Sequence, residues 1–122
     1  MSFTLTGTNL DAPDASALAD FYRRLLGWAI AVDEPGWVVL RPPGGGHTLN
    51  FQTDPRYVRP VWPAGPGDPQ MSMHLDFEVD DLDAATAQAV AAGAILAGFQ
   101  PQDDVRVFLD PAGHPFCFFR PY

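Results

Sequence analysis

An imidazole and two carboxylates are the first residues in this chain whose types and spacing suit chemistry. His74, Asp76 and Glu78 alternate with Leu75, Phe77 and Val79, a period of two that puts the polar groups on one strand face and the apolar ones on the other. A carboxylate two residues from a histidine can fix the tautomer of the ring, as outer-shell carboxylates do for metal-bound histidines. The plainer reading is a histidine hydrogen-bonded to Asp76 in a polar lining with no metal. Glu78 either supplies a further acid to that face or reaches solvent at the strand end. Cys117 follows Phe116 and precedes Phe118-Phe119, so packing is expected of it, because unpaired cysteine most often behaves as a small buried hydrophobe. Trp62, in Arg59-Pro-Val-Trp-Pro63, sits outside any helical or strand pattern. A large aromatic on a rigid proline-flanked segment either closes one side of a ligand cleft or pins the segment down. Trp28 reads as core and Trp37 as either; His47 and His114 read as surface and turn positions.

Several chemistries are absent. Asp76-Phe-Glu-Val-Asp80 lacks the sixth-position glycine and twelfth-position acid of a calcium loop. Gly44-Gly-Gly46 is followed by no Gly-Lys-Ser/Thr, and the chain has no lysine, so no phosphate loop is present. No serine stands in a Gly-x-Ser-x-Gly elbow and no His-Glu-x-x-His occurs. Fifteen acids face seven bases for a formal net charge of −8, a field that repels nucleic acid and anionic membranes. The longest apolar or glycine run, Ala89 to Phe99, is well short of the roughly 18 residues that suggest a span. One cysteine excludes an intramolecular disulfide. With no basic, then apolar, N-terminal segment, the expectation is a cytoplasmic chain without a signal peptide. At 122 residues a single domain is expected, covering 1–122.

The elements that must position these residues come in two similar sets. Leu18, Phe21, Tyr22, Leu25 and Leu26 form one helical stripe, with Asp14 as N-cap and Gly27 as the stop. Leu82, Ala85, Thr86, Ala89 and Val90 form a second, capped by Asp81 and ended by Gly93. Strands are expected at Phe3–Ala12, Trp28–Val32, Trp37–Arg41 and Thr48–Gln52, then at Met73–Val79, Ala94–Ala97, Val105–Leu109 and Phe116–Phe119. The Pro-Pro-Gly-Gly-Gly run at 42–46 and Asp110-Pro-Ala-Gly-His-Pro115 are turns. Each half reads β-α-β-β-β, an internal duplication with module 1 at 1–53, a linker at 54–70 carrying five prolines, and module 2 at 71–122. Aligned on the helix caps, Gly7, Asn9 and Asp11 occupy the polar face that His74, Asp76 and Glu78 occupy in the second half.

Phe21-Tyr22 with Leu26-Gly27, His74-Leu75-Asp76 with Asp80-Asp81-Leu82, Gly93-Ala94, and Asp110-Pro-Ala-Gly-His-Pro-Phe-Cys together resemble the vicinal-oxygen-chelate superfamily (glyoxalase I, bleomycin- and fosfomycin-resistance proteins, extradiol dioxygenases) and, within it, small bacterial glyoxalase-like domains. The resemblance implies an α+β fold of two βαβββ modules forming an incomplete eight-stranded barrel with the helices outside, in a homodimer. It places four cavity-facing metal-ligand positions on Gly7 (or Thr8), Gln52, His74 and Cys117. Glycine has no donor, Gln52 offers a carbonyl oxygen, and Cys117 stands where a glutamate is usual. The favoured reading is therefore a metal-free protein without cofactor. It binds a small organic ligand in a cleft lined by His74, Asp76, Gln52 and Trp62, and the acidic lining favours a cationic ligand. The alternative is a lyase, isomerase or dioxygenase with one divalent metal on His74, Gln52 and Glu78, or with Asp76 or Cys117 as the third donor. A structural or interaction module with a filled cleft is the third option.

Overall fold

A computed structural model describes residues 1–121 of the chain. The order is β1 (Gly7–Ala12), α1 (Ala15–Leu26), β2 (Ala29–Glu34), β3 (Trp37–Arg41) and β4 (Thr48–Thr53), then β5 (Leu75–Glu78), α2 (Leu82–Ala92), β6 (Ile95–Leu96), β7 (Val105–Leu109) and β8 (Pro115–Phe119). The chain divides into two compact units, Met1–Tyr57 and Val58–Tyr122, each βαβββ. The strands bond as two sheets of four, ordered β1-β4-β3-β2 and β5-β8-β7-β6. No described helix is long and apolar enough to cross a membrane.

In the first unit the stripe of α1 does what its spacing dictates. Leu18, Phe21, Tyr22 and Leu25 are buried, and the Tyr22 ring stacks on Phe51 of β4 at 5.6 Å. The Asp14 carboxylate accepts from the Ser16 and Ala17 amides, and Gly27, left-handed at φ 71°, ends the helix. Val38, Leu40, Leu49 and Phe51 complete the core. β1 is shorter than the Phe3–Ala12 expected. Its parallel partner β4 starts at Thr48, opposite Gly7, after the glycine turn, so Phe3 and Leu5 lie outside the ladder and are exposed.

The second unit is built on phenylalanine. Phe77, Phe108, Phe116 and Phe118 pack with ring centroids 5.0 to 6.2 Å apart. α2 is capped by Asp81 and Gly93 as expected, but it buries only Leu82 and Ala89, and Val90 is exposed. A helix of small alanines has no strong apolar side to choose. β5 spans Leu75–Glu78 rather than Met73–Val79 because its ladder with β8 begins at Leu75 opposite Phe116, and the preceding Pro115 has no N–H to give. β6 is a two-residue edge, shorter than expected.

The proline-rich stretch expected as a linker divides between the units. Asp54 and Tyr57 close the first, with the Tyr57 amide donating to the Asp54 carbonyl at 3.0 Å. Residues 58–70 belong to the second, where the Val61 amide donates to the Pro69 carbonyl at 2.9 Å. Arg59 lies across the turn between β7 and β8 and donates to the Pro111 carbonyl at 3.0 Å. That turn is organised by the fully buried Asp110, whose carboxylate accepts from the Ala112 and His114 amides. Gly113 there has φ +90°, and a β-carbon on it would meet Arg59 Cγ at 2.5 Å. Gly36 has φ +73°, but a β-carbon there would meet nothing nearer than Thr53 at 3.6 Å. Gly36→Ala therefore pays only for backbone conformation, about 1–2 kcal/mol, and Gly113→Ala is expected to cost more in urea denaturation. Adding Arg59→Ala should recover part of the Gly113→Ala loss and none of the Gly36→Ala loss.

Candidate ligand-binding site

The β5–β8 register builds the first polar patch. Asp76 stands opposite Cys117 in the parallel ladder, and His74, just ahead of β5, places Nε2 at 3.1 Å from Asp76 Oδ1. Donor atoms of His74, Asp76 and Cys117 all lie within 4.8 Å of one another. Phe116 and Phe118 are buried while Cys117 between them is half-buried, so the thiol lies on the opposite face of the strand and is not packed into the phenylalanine core. Burial pushes the Cys117 thiol up to about 11 from 9.0, aided by the Asp76 charge and a hydrogen bond with Asp76. A proton is thus held between sulfur and carboxylate, with the thiol donating. Glu78 is exposed two residues further along the same face, outside this three-residue group.

Gln52 lies in the other unit, in the corresponding place. β1 and β4 are also parallel, and Asp11 stands opposite Gln52 as Asp76 stands opposite Cys117. Both pairs have the same offset between units (76 − 11 and 117 − 52), which makes Asn9, not Gly7, the counterpart of His74. The alignment on helix caps misses this because five residues separate Asp76 from its cap Asp81, against three from Asp11 to Asp14. Asn9 is part of a polar ladder: Asn50 Nδ2 donates to Asn9 Oδ1 at 2.8 Å, and Thr48 donates to Asn50 Oδ1 at 2.8 Å. Gly7 is tightly covered by that ladder, since a β-carbon there would meet Thr48 Oγ1 at 2.5 Å. Trp62 is half-buried in the second unit, its ring stacked on Phe99 at 5.7 Å.

A family model described as Glyoxalase-like domain matches residues 7–119. The chain belongs to the glyoxalase-like domain family. It is 35% identical to the anthracycline biosynthesis protein DnrV of Streptomyces peucetius and 33% identical to DauV of Streptomyces sp. (strain C5), over 92% of this chain and 45% of each relative. The chain thus spans about half the length of these relatives. Its fold matches a glyoxalase/bleomycin resistance protein/dioxygenase family enzyme from Burkholderia phytofirmans PsJN (TM-score 0.74, 20% identity, 97% of this chain and 98% of that one). It also matches TnmS3, an antibiotic binding protein from Streptomyces sp. CB03234 (TM-score 0.66, 24% identity, 100% and 98%).

Metal-dependent proteins of the glyoxalase superfamily hold a divalent ion on strand positions, and the donors present here fit a hard divalent ion poorly. In the observed register the first unit carries Asn9 and Gln52, two amides, at the positions where the second carries His74 and Cys117, an imidazole and a thiol. Hard divalent ions take carboxylate and carbonyl oxygens, while thiolates suit softer metals. Asp76, the carboxylate at hand, is engaged with both His74 and Cys117.

The raised thiol has a measurable consequence. The folded chain holds the Cys117 proton more tightly than the unfolded chain, so the associated stability is complete below about pH 9 and is lost as pH rises through about 11. Denaturation between those values should show this loss, and Cys117→Ser should abolish it. Alkylation by iodoacetamide at pH 8 should be slow in the native chain and several-fold faster in Asp76→Asn, with burial still holding it below the rate of a free thiol.

Proposed function

We propose that this protein is a metal-free, small-molecule-binding member of the glyoxalase-like domain family, of the sequestration or resistance type. In this reading His74, Asp76 and Gln52 present hydrogen-bonding groups to an organic ligand, and Trp62 adds aromatic surface beside Phe99. The observation that carries the reading is the Asp76 carboxylate set 3.1 Å from His74 Nε2 and opposite Cys117 in the ladder. His74 and Cys117, two positions where metal-dependent proteins of the superfamily keep ion ligands, here lie within reach of one carboxylate. Kinship with proteins named for anthracycline biosynthesis, and a fold shared with an antibiotic binding protein, support a polycyclic aromatic natural product as the ligand class. Such ligands gain affinity by stacking and by a few placed polar contacts. No bond need be made or broken, so the patch requires no activated nucleophile. Binding as a homodimer in the cytoplasm belongs to the same proposal.

Elemental analysis of the purified protein tests the metal-free claim. Well under one equivalent of any divalent metal is expected, together with saturable quenching of tryptophan emission by daunorubicin that His74→Ala weakens. Stoichiometric, tightly held metal that disappears in His74→Ala would overturn the reading in favour of a metal-dependent enzyme.

A further inference from the structure

The face of the first sheet turned away from α1 carries a row of side chains with a chemistry of its own. Val38 and Leu40 are buried in the core, so the pleat turns Trp37 and Val39 to the other side. In register, Glu34 of β2 pairs with Trp37 of β3, Trp37 pairs with Gln52 of β4, and Gln52 pairs with Asp11 of β1. One line therefore crosses all four strands as carboxylate, indole, amide, carboxylate. Neighbouring strands lie about 4.8 Å apart, so the line is roughly 14 Å long, the length of three or four fused rings. The equivalent line in the second unit runs Asp76, Cys117, Val107, so Trp37 occupies the position that Val107 fills there. The row contains no cation; Arg41, the nearest on the same strand, is four residues beyond Trp37, roughly 13 Å away.

We propose that Glu34, Trp37, Gln52 and Asp11 form a subsite selective for planar aromatic cations. The inference rests on the small-molecule-binding reading above and adds the charge and shape of what is bound. The ring system lies over the Trp37 indole, whose electron-rich face attracts cations. Gln52 hydrogen-bonds to a ring substituent, and the carboxylates at the two ends hold the positive charge while disfavouring anions.

Calorimetric titration with two flat tricyclic probes of opposite charge, proflavine and 9-anthracenecarboxylate, tests this in the full chain. Proflavine is expected to bind saturably and 9-anthracenecarboxylate at least tenfold more weakly. Trp37→Leu should weaken proflavine at least tenfold, Trp37→Phe should restore part of the loss, and the Glu34→Gln/Asp11→Asn pair should narrow the gap between the probes. Circular dichroism on each variant separates loss of the site from loss of the fold. Equal affinity for the two probes, or an unchanged proflavine affinity in folded Trp37→Leu, would overturn the subsite. If daunorubicin still binds in either case, the functional reading survives without the subsite; if no aromatic probe binds, both fail.

Discussion

Everything positioned in this protein depends on one pairing made twice: the first strand of each unit lies parallel to the last. Parallel neighbours cannot be joined by a tight turn and need a crossover, which α1 and α2 begin. The last strand then enters between the first and third, giving β1-β4-β3-β2 and β5-β8-β7-β6. That insertion sets Asp11 against Gln52 and Asp76 against Cys117. None of these pairs is close in sequence.

The shared strand order and register of the two units make their differences informative. The same register positions hold Asn9 and His74, Gln52 and Cys117, Trp37 and Val107. In the second unit the exchange yields a compact proton-sharing group, with Asp76 serving both His74 and Cys117. In the first it yields an amide ladder, Asn9 to Asn50 to Thr48, beside an aromatic flanked by acids. Both faces offer directional hydrogen bonds on a rigid sheet, which is what a preorganised organic-ligand site requires.

Much of this was legible in the residues. The helical stripe of α1, all four caps and the βαβββ repeat follow from local chemistry, and they appear where the spacing puts them. His74 beside Asp76 follows equally from a period of two. What could not be read depends on partners distant in the chain. The start of β1 is decided by where β4 begins, and the start of β5 by the missing N–H of Pro115. The counterpart of His74 is displaced by two residues because β5 pairs one residue further than β1 and the connection after it is one residue longer. Cys117 was legible in principle. The alternation Phe116, Cys117, Phe118 already separates the sulfur from the rings, but the apolar composition of the strand outweighed its period. Trp62 reads from sequence as cleft lining or as a staple, with the cleft favoured, and its stacking on Phe99 appears only once residues 58–70 fold into the second unit.

The central claim is that this glyoxalase-like domain binds an organic molecule through hydrogen bonds and stacking, without an ion. The most direct measurement is a calorimetric titration of the purified chain with daunorubicin, run with and without EDTA. A metal-free site gives saturable binding with the same affinity in both. Binding that EDTA abolishes and a divalent ion restores would contradict it.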